Sequence, residues 1–252
     1  MAAGENSGLA LRALTTIAEF EEAVELQKVI WGFADIELLP RRLFVVANKI
    51  GGQTLGAFDG SRMVAFLIAI PGVKANGSHY LHSHMLGTLR EYRDRGLGRQ
   101  LKLMQREDAL ERGFRLVEWT FDPLEIKNAF FNMERLGAIV RRFVPNQYGT
   151  TSSHLHGGLP TDRCVAEWWI DSPRVHALLA GKPKAGPAIE ARIRVPAHIA
   201  DLRVSDPKQA RAVQQEISDQ FQLHFRAGLA VVGFENTPEA GTYLLGKYAV
   251  SD

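Results

Sequence analysis

The chain has 252 residues, 46% of them hydrophobic and 23% charged, with a formal net charge of +2. That apolar fraction can fill a core, which excludes a disordered chain, and the balance of charge gives no bulk attraction to nucleic acid. The length allows one large domain or two modest ones.

A single cysteine, Cys164, cannot form an intrachain disulfide, so a reducing cytoplasm is the expected setting. Residues Met1 to Ser7 lack the basic start and apolar run of a secretory signal. No apolar stretch is long enough to cross a bilayer, the longest (Met63 to Ile70) being strand-sized, so no membrane partner is expected.

In chain order, residues 8–14 alternate and predict a first strand. Thr16-Ile17-Ala18-Glu19 has capping-box spacing, and Phe20, Ala23, Val24 and Ile30 continue it as a helix to about Trp31. Pro40 opens a second helix that ends at Gly51-Gly52. Two apolar runs, Thr54 to Phe58 and Met63 to Ile70, flank Asp59-Gly60 and predict an antiparallel hairpin. Pro71 to Ser78 reads as a loop, and His79 to Thr88 as a strand. A helix follows with Leu97, Leu101 and Met104 on one face, then a strand (Leu116 to Phe121), a helix over 125–136 and a strand (Ala138 to Val144). Pro145 to Thr161 reads as a long loop and Cys164 to Ile170 as a strand. The stretch from Gly181 to Pro187 is linker-like and puts a boundary near residue 183, although the tail could instead pack on the first sheet. That tail should hold a strand (Ile189 to Val195), a long helix after Asp206-Pro207 and a strand near Leu229 to Phe234.

The segment Arg93-Asp94-Arg95-Gly96-Leu97-Gly98 stands between a strand and an amphipathic helix. A helix start offers unpaired N–H groups and the positive end of the dipole, a combination suited to phosphate. Glycines admit close approach of a ligand, and Arg93, Arg95 and Arg99 can add charge. The same residues could make an ordinary turn with solvated arginines. No Gly-Lys-Ser/Thr follows, so this is not a Walker loop, and a glycine motif after a hairpin does not fit a dinucleotide fingerprint.

Strand, then Arg93-x-x-Gly96-x-Gly98, then helix resembles the central motif of the GNAT superfamily of acyl-CoA N-acyltransferases. Asn128-Ala129, with Arg135-Leu136-Gly137, is similar to the family's following helix, and Asp122-Pro123-Leu124 resembles a bacterial branch whose chains continue past the core. The resemblance covers roughly residues 8–145. It implies an α/β (α+β) fold with a central, mixed, mostly antiparallel sheet flanked by helices. Residues 1–183 would form the acyltransferase domain and 184–252 a smaller α/β extension. It implies transfer of an acetyl or succinyl group from acyl-CoA to the amine of a small molecule such as an amino acid. The backbone of Leu86, Gly87 and Thr88 would pair with pantetheine and polarise the thioester. Arg93, Asp94, Arg95, Gly96, Leu97, Gly98 and Arg99 would take the pyrophosphate, and Asn128 would lie near the cofactor. It leaves a homodimer open.

Many family members place a tyrosine, which protonates the departing thiolate, where this chain has Met133. A non-catalytic CoA-binding or sensor module is therefore the competing reading, and Tyr148 is a substitute acid to consider. His82 and His84 share one face of a strand with Tyr80 and Leu86 and suit a general base. Glu118 is a further base, or else a solvated strand residue. His82-x-His84 and His154-x-His156 invite a metal, but no further ligand spacing completes a site, so none is assigned. Arg141, Arg142 and Arg163 are the cations to consider for a substrate carboxylate.

Overall fold

The computed structural model describes residues 8–149, 159–183 and 186–249. The chain forms two compact units, Met1–Phe114 and Arg115–Asp252. The architecture is mixed α/β, with mostly antiparallel sheet flanked by helices.

In the first unit, β1 (Leu9–Ala13), β2 (Gln53–Asp59), β3 (Arg62–Val73) and β4 (His79–Thr88) pair in that order, each antiparallel to the next. β2 up to Phe58 and β3 from Met63 to Ala69 are buried at every position, as strands are when both faces of a sheet are covered. The helices α1 (Ile17–Trp31), α2 (Arg41–Lys49) and α3 (Leu97–Glu111) provide that cover. Thr16 and Glu19 form the expected capping box, and Gly32 closes α1 with φ 68°. Phe20, Phe44 and Phe66 meet in the core between α1, α2 and β3. The predicted loop at Pro71 is instead strand: Pro71 and Gly72 stay in register with Leu81 and Tyr80, and the turn comes at Lys74–Ser78. Proline is tolerated there because only alternate N–H groups of a strand face a given neighbour.

In the second unit, β5 (Leu116–Phe121), β6 (Ile139–Val144), β7 (Arg163–Trp169), β8 (Ala191–Pro196), β9 (Leu229–Asn236) and β10 (Ala240–Lys247) lie in the order β5-β7-β6-β9-β10-β8. Every pairing within it is antiparallel. α4 (Ile126–Phe130) passes into a π-turn over Phe131–Arg135, where Leu136 N donates to Phe131 O five residues back. A plain helix was expected over 125–136; hydrophobic spacing carries no signal for the widened turn. α5 (Pro173–Leu179), α6 (Ile199–Ser205) and β10 were not anticipated, whereas α7 (Pro207–Arg226) begins at Asp206-Pro207 as expected. Ser172 caps α5 with Pro173 behind it, a start signal visible in the sequence.

Residues 186–249 belong to the same unit as β5–β7. They hold the segment around α4 at several points. Arg203 pairs with Asp122 (2.7 Å) and Glu125 (2.9 Å), and the Tyr243 hydroxyl donates to Pro123 O (2.7 Å). Phe234 N donates to Glu134 Oε1 (2.8 Å), while Arg174 of α5 donates to Gly137 O and Val232 O.

Candidate functional site

β4 leads through a short 3₁₀ turn at Arg90–Tyr92 to Gly96, which caps α3 with φ 78°. A left-handed φ favours glycine, and a glycine cap has no side chain of its own to accept from the first-turn amides. Asp94 is also left-handed, at φ 59°. A Cβ on Gly96 would meet nothing within 4 Å, and one on Gly98 only Leu86 Cδ2 at 3.5 Å. The protein's own packing therefore does not demand glycine at position 98; an approaching ligand would. Arg93 and Arg95 are exposed, with Arg93 Nε donating to Thr88 O (3.1 Å) and Arg95 over the Tyr92 ring. Leu97 turns inward and is buried, so its backbone alone faces the loop. Arg99 is half-buried in the first turn of α3.

Leu86, Gly87 and Thr88 pair with Leu67, Phe66 and Ala65 of β3. Gly87 is glycine for an internal reason: a Cβ there would come within 2.6 Å of Trp31 and 2.8 Å of Ile30. Between Ile68 and Ala69 the register slips, so that Met85 and Ser83 pair with consecutive β3 residues and His84 is the extra residue of a bulge. The slip corrects the expected face. Ser83 accepts from Lys102 of α3 and Leu86 Cδ2 lies 3.5 Å from where a Cβ on Gly98 of α3 would stand, three residues apart yet on one side. His82 and His84 lie together on the opposite side, their rings 5.5 Å apart, without Leu86. Burial pushes the His84 imidazole below its usual range, which keeps it neutral and able to accept a proton.

Sequence reasoning missed the polar cluster behind β4. Lys102 Nζ, fully buried, donates to Ser83 Oγ (2.8 Å) and Gln105 Oε1 (3.0 Å), and Gln105 Nε2 donates to Gln53 Oε1 (2.9 Å). Gln53 in turn donates to Asp108 Oδ2 (2.5 Å). Burial drives the Lys102 ammonium well below its ordinary pKa.

In the second unit Asn128 is exposed on α4, and Met133 is fully buried in the π-turn. Glu118 is not a solvated strand residue: it is 4% exposed and accepts from Arg142 Nη2 at 2.6 Å. Glu167, opposite it on β7, is held by Arg141 (2.5 Å). Arg141 and Arg142 are thus already committed to carboxylates. Arg163 lies over the Tyr148 ring, whose hydroxyl is 3.0 Å from Thr120 Oγ1. The second histidine pair, His154 and His156, lies outside the described residues, among which no group of three or more His, Cys, Asp or Glu could hold a metal.

No family model and no curated protein matches the chain. Solved structures do. The ribosomal-protein-alanine N-acetyltransferase of Escherichia coli aligns with TM-score 0.50 and 16% identity, over 65% of this chain and 95% of that one. The fold is that of the GNAT superfamily. A GNAT-family acetyltransferase from Streptococcus pneumoniae aligns with TM-score 0.51 and 17% identity, over 63% of this chain and 98% of that one. Naa50 of Arabidopsis thaliana, in complex with the bisubstrate analogue CoA-Ac-MVNAL, aligns with TM-score 0.50 and 15% identity, over 64% of this chain and 97% of that one. About a third of this chain therefore falls outside each alignment.

Proposed function

We propose that this chain is an acyl-CoA-dependent N-acyltransferase whose first unit binds the donor. One observation carries the reading: at the start of α3 a left-handed glycine and a second glycine whose added Cβ would make only one ordinary contact follow a strand, in a chain with the GNAT fold. Backbone N–H groups at residues 96–98, with Arg93, Arg95 and Arg99, would hold the pyrophosphate, and Asp94 would shape the turn. The alternate amides of Leu86, Gly87 and Thr88 would bind pantetheine and stabilise the oxyanion as the amine attacks the thioester carbon. The C–S bond then breaks, and the ammonium proton passes to a base. His84 is the first choice because burial keeps it neutral, with His82 beside it. Glu118 is a weaker choice because Arg142 already occupies its carboxylate. Asn128 is assigned to the cofactor on the family resemblance.

The donor is taken as acetyl- or succinyl-CoA and the acceptor as a small-molecule amine, with free amino acids first to be tried, in a cytoplasmic setting. Residues 1–183 would carry the transfer and 184–252 would be an addition to it. A thermal-shift screen of acetyl-, succinyl- and longer acyl-CoAs, followed by CoA release with an amine panel, tests the whole reading. Stabilisation by at least one acyl-CoA and turnover on an amine are expected. No shift with any donor, and no effect of Gly96→Glu, would refute it. The second reading, a CoA-binding module without catalysis, draws on Met133, a buried thioether where many family members have a proton donor. Binding without turnover on any amine would favour it.

A further inference from the structure

Within the second unit, and separate from the groups assigned above, lies a half-open cavity of about 170 Å³. Asn146, Asp162, Arg211, Gln214, Ser218 and Gln222 contribute to its lining. Its walls are fixed by hydrogen bonds made inside the unit. Asn146 takes a left-handed φ of 44°, and its N–H donates to Asp162 Oδ1 (2.9 Å), while its Oδ1 accepts from Thr161 N (3.2 Å). Gln214 Nε2 donates to Pro160 O (2.8 Å). The other end of the same amide is the unusual feature: Gln214 is 4% exposed, and among the described residues its Oε1 meets no donor. A buried acceptor left without a donor is costly, and native proteins rarely leave one so.

The neighbouring groups say what kind of donor would suit it. Asp162 carries a second acceptor, and its carboxyl is pushed above the usual range, first by loss of solvent and against the opposing pull of the Asn146 N–H, the Arg211 charge and the Gln214 amide, so a further positive charge beside it would still be welcome. Arg211 is exposed and offers a cation to a different part of the same ligand. The space suits a molecule of a few heavy atoms and is below the range of drug-sized sites.

We infer that this cavity binds a free α-amino acid, its ammonium donating to Gln214 Oε1 and the Asp162 carboxylate and its carboxylate pairing with Arg211. A bare cation would leave Arg211 without a role, and an anion would face two acceptors. The inference does not depend on acyl transfer and stands even if the first unit binds no CoA.

Calorimetric titration of the full chain without CoA, using a panel of free amino acids beside their N-acetyl and methyl-ester derivatives, tests it. At least one amino acid should bind at one per chain, with N-acetylation and esterification each weakening it tenfold or more. Arg211→Ala, on an exposed side chain, should weaken the free acid tenfold and abolish its advantage over the ester. Gln214→Met should weaken both; should that variant fail to fold, Arg211→Ala and the derivative series still decide. No binding at millimolar concentration, an N-acetyl derivative as good as the free amino acid, or binding indifferent to Arg211→Ala would overturn the inference. Amino-acid binding that appears only with CoA and ignores Arg211→Ala belongs to the proposed reaction, and would also overturn it.

Discussion

A methyl group added at Gly98 would touch only Leu86, at 3.5 Å. Alanine is a better helix former than glycine by up to about 1 kcal/mol. Gly98→Ala is therefore expected to raise the melting temperature slightly while weakening CoA binding at least tenfold, as read by thermal melt and CoA titration on the same variant. Gly96→Ala should do the reverse to stability, costing about 1 kcal/mol for a left-handed non-glycine residue. His84 gives a second residue-level prediction. Its folded pKa lies below its unfolded value, so the unfolded chain takes up more protons as pH falls through about 6.5. Stability contributed by the neutral ring is present above that pH and is lost on acidification, and His84→Gln should flatten that limb of a pH–melting curve. The place of Gly96 at the start of α3 was legible because a helix start is written in residue type and spacing. The company that His84 keeps was not, since one extra residue in β4 changes which neighbours share its face.

Along α3, the spacing of Leu97, Leu101 and Met104 correctly announced an amphipathic helix, but the face actually buried also holds Lys102, Gln105 and Ala109. Lys102 and Gln105 read as polar surface because a sequence pattern ranks residues by type, and these two are satisfied by Ser83 and Gln53 from distant strands. Lys102→Met should destabilise the fold by about 1–3 kcal/mol, because it strips a donor from Ser83 and Gln105. The same substitution should alter the pH dependence. An ammonium whose folded pKa is depressed makes the wild-type chain less stable as pH falls below about 10.5, and denaturant melts from pH 10 downward should show a shallower slope in the variant. The hairpin at Asp59-Gly60 and the capping box at Thr16 were fully readable, each being set by residues within four positions of one another. The π-turn was unreadable, since it depends on what packs around Met133 and Asn132 rather than on their spacing.

Across the whole chain, the tail beyond residue 186 supplies β8, β9 and β10 to the sheet of the second unit, with β9 against β6. A strand, a long helix and a strand near Leu229 were legible there; their attachment was not, because strand order is a long-range property. Arg203→Met should cost about 3–5 kcal/mol by leaving Asp122 buried beside a lost cation, measured by urea denaturation. Ending the chain at residue 183 should give insoluble protein, since it would uncover the edge of β6 and the apolar side chains that α7 covers. The β6–β9 pairing also sets a timetable. About 85 residues separate the end of β6 from the start of β9. At ribosomal speed that is an interval of roughly 4–17 s in which β6 has been made and its neighbour has not. The first unit has all its strands by Thr88 and can close early, whereas the second must wait for residues 229–247, so a synthesis stalled or terminated before them would leave it with an open, adhesive margin.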